Sequence, residues 1–268
     1  MKSSNPVLSR LEEAAQRERA AGYSPAPQYG QGYPAPDVFS TAPTVAPMTM
    51  DDVVVRTVGL LAVLGIAAAA AWKVVPDSLL VPVWIGAAMV GLVLGLVISF
   101  ARITNPAVIL AYTVVEGVFV GLVSKLSNDG RILGGYDGVV TQAAAGTFGV
   151  FFIMAALYKF RVIRATPKFV KGMIAAVAGV FALMLVNFVL SFFGIQTHLR
   201  DGSRWSIIFS IVCIVIAALT FILDFDQIET GVRMGLPRKY AWSCAFGILV
   251  GLIWLYLEIL RLLRTLNR

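Results

Sequence analysis

The sequence predicts an all-α membrane protein, a bundle of seven transmembrane helices behind a polar tail. Three observations lead there. Of the 268 residues, 58% are hydrophobic and only 14% charged, with a mean hydropathy of +0.81, whereas soluble domains carry roughly 25% charged residues. The apolar residues gather in seven runs of 17 to 24 residues, close to the ~20 residues of helix that cross a bilayer core of ~30 Å. Most lysines and arginines fall between those runs and at the chain ends, where they set topology. A soluble helical domain of this length has no interior large enough for so much apolar surface. Two regions follow, a tail over 1–50 and a membrane domain over 51–268.

The tail opens with "NPVLSRLEEAAQRERAA", in which Leu8, Leu11 and Ala15 have near-helical spacing, a short surface helix at most. Next comes "GYSPAPQYGQGYPAPDVFSTAPTVAPM", with six prolines among Gly, Gln, Ser and Tyr. Such a stretch buries too little apolar area to offset its ordering entropy and is expected to be disordered. Its Pro-flanked tyrosines could contact a partner, but a plain flexible tail is the better reading. With the first 50 residues polar and no apolar h-region early in them, no cleavable signal is expected there.

The spans are expected at 53–75, 79–100, 107–123, 139–158, 172–195, 205–223 and 241–262. All must be helices, because open strands would leave unpaired backbone groups in lipid. Between them lie "KVVPDS", "RITNP", "KLSNDGRILGGYDG", "YKFRVIRATPKFVKG", "QTHLRDGSR" and "RMGLPRKY". A cytoplasmic N-terminus puts 14 of the 22 cations inside, including Arg102 and the five-cation "KFRVIRATPKFVK" loop. That bias predicts a multi-pass protein of the plasma membrane with its N-terminus in the cytoplasm. Three of the eight outer cations sit in the C-terminal "RLLRTLNR". A seventh segment that dips in and returns would instead bring both ends to one side. GxxxG patterns at 91–95, 117–121 and 247–251 predict close helix contacts around spans 2, 3 and 7.

Several function classes drop out. The net charge of +7 is accounted for by topology and is no nucleic-acid footprint. Cys213 and Cys244 lie in apolar runs without CxxC spacing, and the single His198 sits in a polar loop, so neither a zinc site nor a His-based triad can be assembled. No nucleotide loop, GxSxG or HExxH is present, and the expectation is a non-enzyme without cofactor.

What remains is acids in apolar surroundings. Glu116 lies in the third span, Asp224 and Asp226 at the end of the sixth in "TFILDFDQIETG", and Glu258 in the seventh. An Asp at mid-membrane costs about 2.5–3.5 kcal/mol on insertion scales, so such a group is paired, protonated or beside a wet path. Two carboxyls in reach share a proton and titrate as a unit. Arg102, at the end of the second span, is the candidate cation, and it reads equally as a snorkelling topology residue. Asp226 is balanced between a site role and a solvated interface; Glu229 is better read as an interfacial acid. At 1.5 Å per residue, Asp224 lies ~15 Å from the "GLPRKY" turn, Glu258 ~27 Å, and Glu116 ~15 Å from Asn105.

The "LDFDQIETG" that ends one apolar helix and the "YAWSCAFGILVGLIWLYLEILRLL" that forms the last resemble the Bax inhibitor / YccA-like family, also called the transmembrane Bax inhibitor motif family. The tail opening "SSNPV" is similar to its actinobacterial branch. The resemblance spans about residues 50–268 and implies seven helices with the last one central, wrapped by the other six. It further implies a pH-sensitive calcium leak channel, in which Asp residues on helices 6 and 7 share a proton and an Arg on helix 2 competes for one of them. Carried over, the helix-6 acid falls on Asp224, the helix-7 acid on Glu258 of "LYLE", and the Arg near Arg102. This chain has Glu in place of the second Asp, a longer separation of 34 residues, and Asp226 where the family has an amide. Glu116 resembles the acid of the family's "LEG" and stands as a third candidate. Asp224 and Glu258 are then the candidate transient Ca²⁺ contacts, with Ca²⁺ as the permeant ion. Some family members are regarded as modulators of a membrane-bound protease, and residues 1–48 would supply that contact. A proton-coupled transporter is a further reading of the same acids.

Overall fold

The computed structural model describes residues 46–128, 138–192 and 204–267. The expected disorder and protease contact of the tail up to residue 45, and the loop with His198, lie outside the described residues. The first helix, α1 (Met50–Val74), starts where Thr49 forms a capping box with Asp52: Thr49 Oγ1 accepts from Asp52 N and Asp52 Oδ2 from Thr49 N, each at 3.2 Å. After Pro76 and a 3₁₀ turn comes α2 (Leu80–Ala101), then α3 (Pro106–Asn128), whose proline occupies the first helical position. The Asn105 side chain caps it, accepting from Ala107 N at 2.9 Å. α4 (Val139–Lys159), α5 (Pro167–Phe192), α6 (Arg204–Arg233) and α7 (Tyr240–Leu266) complete the order. All seven are long and apolar enough to cross a membrane, and the described residues form no strand.

Small residues set the packing. A Cβ at Gly117 would lie 2.7 Å from the Leu64 carbonyl oxygen, and one at Gly121 would overlap the backbone of Ala68, so α3 closes on α1 through bare backbone. Gly91 and Gly95 of α2 lie against Glu116 and Tyr112 of α3. Gly251 of α7 lies under the Phe221 ring of α6, while Gly247 faces open space. Two of the GxxxG patterns therefore work through both glycines, and the third through one.

The last helix is central. α7 packs closely against α1, α3, α4 and α6, while α2 closes on α3 and α5 on α6. Half of the apolar window of α3 and of α7 is buried, against 11% for α2 and for α5. Four helices, rather than six, form its close neighbours.

Three sequence expectations are corrected. α6 runs ten residues beyond 223 and carries the whole "DFDQIETG" as helix, because nothing before Gly235 (φ 66°) forces the chain to turn. α7 is an unbroken helix of 27 residues, so the last segment does not dip in and return. Residues 46–48, counted with the tail, pack against the α6–α7 turn instead. Met48 is 1% exposed and packs over Gly231 and Leu236, and its N–H bonds the Leu236 carbonyl at 2.7 Å.

Candidate functional site

A cavity of about 280 Å³ lies beside the turn between α6 and α7. Its polar lining is Ser99, Arg102, Asp224, Gln227, Tyr240, Ser243 and Cys244. Asp224 is partly buried, nine residues back from the end of α6, a depth of ~14 Å along the helix. Arg102 ends α2 in the left-handed conformation (φ 51°, ψ 47°), its N–H bonded to the Ile98 carbonyl. Holding a non-glycine residue there costs about 1–2 kcal/mol, and residues so held cluster at functional sites. Ser243 Oγ donates to the Ile103 carbonyl at 3.3 Å, joining the start of α7 to the segment that follows Arg102.

Helical rotation separates the acids of the motif. Two residues turn a helix by ~200°, and Asp226 accordingly leaves the Asp224 cavity. It lines a second, polar crevice of about 820 Å³ with Tyr158, Arg161, Arg164, Glu229 and Arg233. There Glu229 accepts from the Tyr158 hydroxyl and pairs with Arg233 one turn on. Glu229 is thus engaged with two partners rather than simply solvated.

Glu258 lies elsewhere. It is 4% exposed and faces Arg261 at 3.4 Å, and Arg261 in turn stacks over Phe209 at 5.8 Å. Phe221 meets Gly251 across the α6–α7 pair. From that level Asp224 lies three residues toward the turn and Glu258 seven residues away from it, an axial separation of ~15 Å. The residues of α7 that line the cavity with Asp224 are Tyr240, Ser243, Cys244, Phe246 and Gly247. Glu116 sits on α3 against Gly91 and beside Tyr112, one turn before it, and does not line the Asp224 cavity. The structure therefore places Asp224 and Arg102 on the lining of one cavity and leaves Glu258, Asp226 and Glu116 in three other settings. Among the described residues no three His, Cys, Asp or Glu side chains converge as a metal cage. Cys213 and Cys244 are free thiols, Cys213 buried.

Sequence reasoning missed two features. Residues 46–48 form a strap on the α6–α7 turn: Arg238 N bonds the Ala46 carbonyl at 3.0 Å, Arg238 Nε reaches Asp52 Oδ1 at 2.7 Å, and Arg56 donates to the Arg238 carbonyl at 2.8 Å. Arg56 also stacks over Trp242 at 5.4 Å. The second is a buried hydroxyl pair, Ser124 Oγ and Tyr256 Oη, 2.7 Å apart. Ser124 donates its proton to the Val120 carbonyl at 2.6 Å, so Tyr256 is the donor to Ser124. Neither had a local signal, since each joins residues more than a hundred positions apart.

A family model, Bax inhibitor 1 like, matches residues 5–268. No curated protein matches the chain.

Proposed function

Since the chain belongs to the Bax inhibitor 1 like family, we propose that this multi-pass membrane protein is a pH-sensitive leak pathway for calcium, gated at the cavity that Asp224 shares with Arg102. The observation that carries this reading is that one cavity is lined by both side chains, from α6 and from the end of α2. A protonated Asp224 leaves the α6–α7 region shut. A carboxylate there draws Arg102 and gives a hard cation an oxygen contact, with the Gln227 amide and Ser243 hydroxyl on the same wall. Tyr240 and Cys244 of α7 are the other titratable groups lining it. Glu258, with Arg261, acts at a different depth and serves packing rather than the gate. The protein lies in the plasma membrane with the strap, the α6–α7 turn and Arg102 on the cytoplasmic side.

Calcium flux into proteoliposomes tests this. Flux is expected to be larger at about pH 8 than at about pH 6, and Asp224→Asn is expected to abolish the difference. Equal flux at both pH values, unchanged by the substitution, sinks the proposal.

The strap favours a second role. Residues 46–48 are bound to the turn beside the cavity, so a membrane protease that engages the preceding tail acts on the same place. Removing residues 1–45 is expected to abolish capture of such a partner while flux survives; loss of both together, or of neither, counts against this role.

A further inference from the structure

Between α1 and α4 the bundle is open: these helices do not approach each other closely, and α3 and α7 form the floor of the gap. The gap encloses about 440 Å³, within the range of pockets that hold small ligands. Its walls are Leu61, Ala68, Val120, Ala144, Phe148 and Leu252, almost wholly apolar. The hydroxyls lining the groove are already satisfied. Ser124 and Tyr256 bond each other, and Thr147 donates to the Ala143 carbonyl at 2.7 Å.

Length and charge narrow the occupant. The α1 wall runs from Leu61 to Lys73, ~18 Å at 1.5 Å per residue, against ~15 Å for one leaflet of a ~30 Å core. Lys73 stands in the last turn of α1, where headgroups lie, next to Trp72, which lines the same groove. Lys125 is held by Asp77 at 3.0 Å, but Lys73 has no ion-pair partner among the described residues. A void beside lipid forfeits dispersion contacts on its whole lining, and an acyl chain fills it at no cost in hydration because lipid tails are as apolar as leucine.

We propose that this groove holds one acyl chain of an anionic phospholipid, with the lipid phosphate at Lys73. The site is separate from the Asp224 cavity and does not depend on the leak reading. The purified full chain, in detergent with added phosphatidylglycerol or phosphatidylcholine, tests it by native mass spectrometry. A Cβ at Gly65 meets nothing within 4 Å, so Gly65→Phe grows into the groove without clashing at its root. Wild type is expected to retain one phosphatidylglycerol per chain and Gly65→Phe none. Lys73→Gln is expected to lower phosphatidylglycerol retention about five-fold and leave phosphatidylcholine unchanged. If Gly65→Phe does not fold, judged by its helical circular dichroism, Ala144→Leu fills the opposite wall and is read the same way. Equal retention by wild type and a folded filled variant overturns the proposal. So does a wild-type mass of two chains, or a cross-link from the groove to residues 193–203, that the filled variant loses.

Discussion

Arg238 Nε lies 2.7 Å from Asp52 Oδ1, joining the turn between α6 and α7 to the first turn of α1, 186 residues away in sequence. The pair stands beside a buried Met48 and a backbone bridge between Pro47 and Pro237. The N-terminal segment thus finishes the core next to the proposed gate.

Truncation should separate the strap from the tail. Deleting residues 1–45 is expected to leave the thermal melt in detergent unchanged. Met48→Ala removes a buried side chain over Gly231 and is expected to cost about 2–4 kcal/mol. A melt that responds to the deletion and not to Met48→Ala contradicts this packing.

The acids should act unequally. With Asp224 and Glu258 separated by ~15 Å along the helix pair, Glu258→Gln is expected to keep the pH dependence of flux that Asp224→Asn removes. Arg102→Gln should behave like Asp224→Asn, because both line one cavity. Stopped-flow calcium flux on the three variants distinguishes these outcomes.

Thiol labelling can report on the cavity directly. Cys244 lines it and is partly exposed, whereas Cys213 is fully buried. A membrane-impermeant reagent applied on the strap side is expected to label wild type and leave Cys244→Ser untouched. Labelling that persists in Cys244→Ser places the accessible thiol elsewhere.

The hydroxyl pair should show an asymmetry. Tyr256→Phe leaves Ser124 its bond to the Val120 carbonyl and is expected to cost about 0.5–1 kcal/mol. Ser124→Ala strands the buried Tyr256 hydroxyl and is expected to cost more, about 1–3 kcal/mol. Chemical denaturation of both single variants and the double variant measures the difference.

Close helix contact makes a last case. Gly121→Ala forces α3 off the Ala68 backbone, and overpacking of this kind costs about 1–3 kcal/mol. Gly247→Ala meets nothing within 4 Å and should be near neutral. The two melts, compared side by side, check whether the glycines act through contact.

Much of this was legible in the chain. Each apolar run must satisfy its own backbone in lipid, and only a helix does so; the runs and their polar punctuation therefore determine seven helices, and the family resemblance of "DFDQIETG" and "LYLE" matches the model covering residues 5–268. The presence of acids in those helices is likewise a property of sequence. What only the tertiary structure decided is which charges share a setting. A residue step turns a helix by ~100° and lifts it 1.5 Å, so partners depend on the depth and rotation at which helices lock. Gly121 against Ala68 and Gly251 under Phe221 set those locks. As a result Asp224 shares a cavity with Arg102, Asp226 turns to another crevice, and Glu258 lies with Arg261. No pattern along the chain encodes that register, because it comes from side-chain volumes meeting between helices that are distant in sequence.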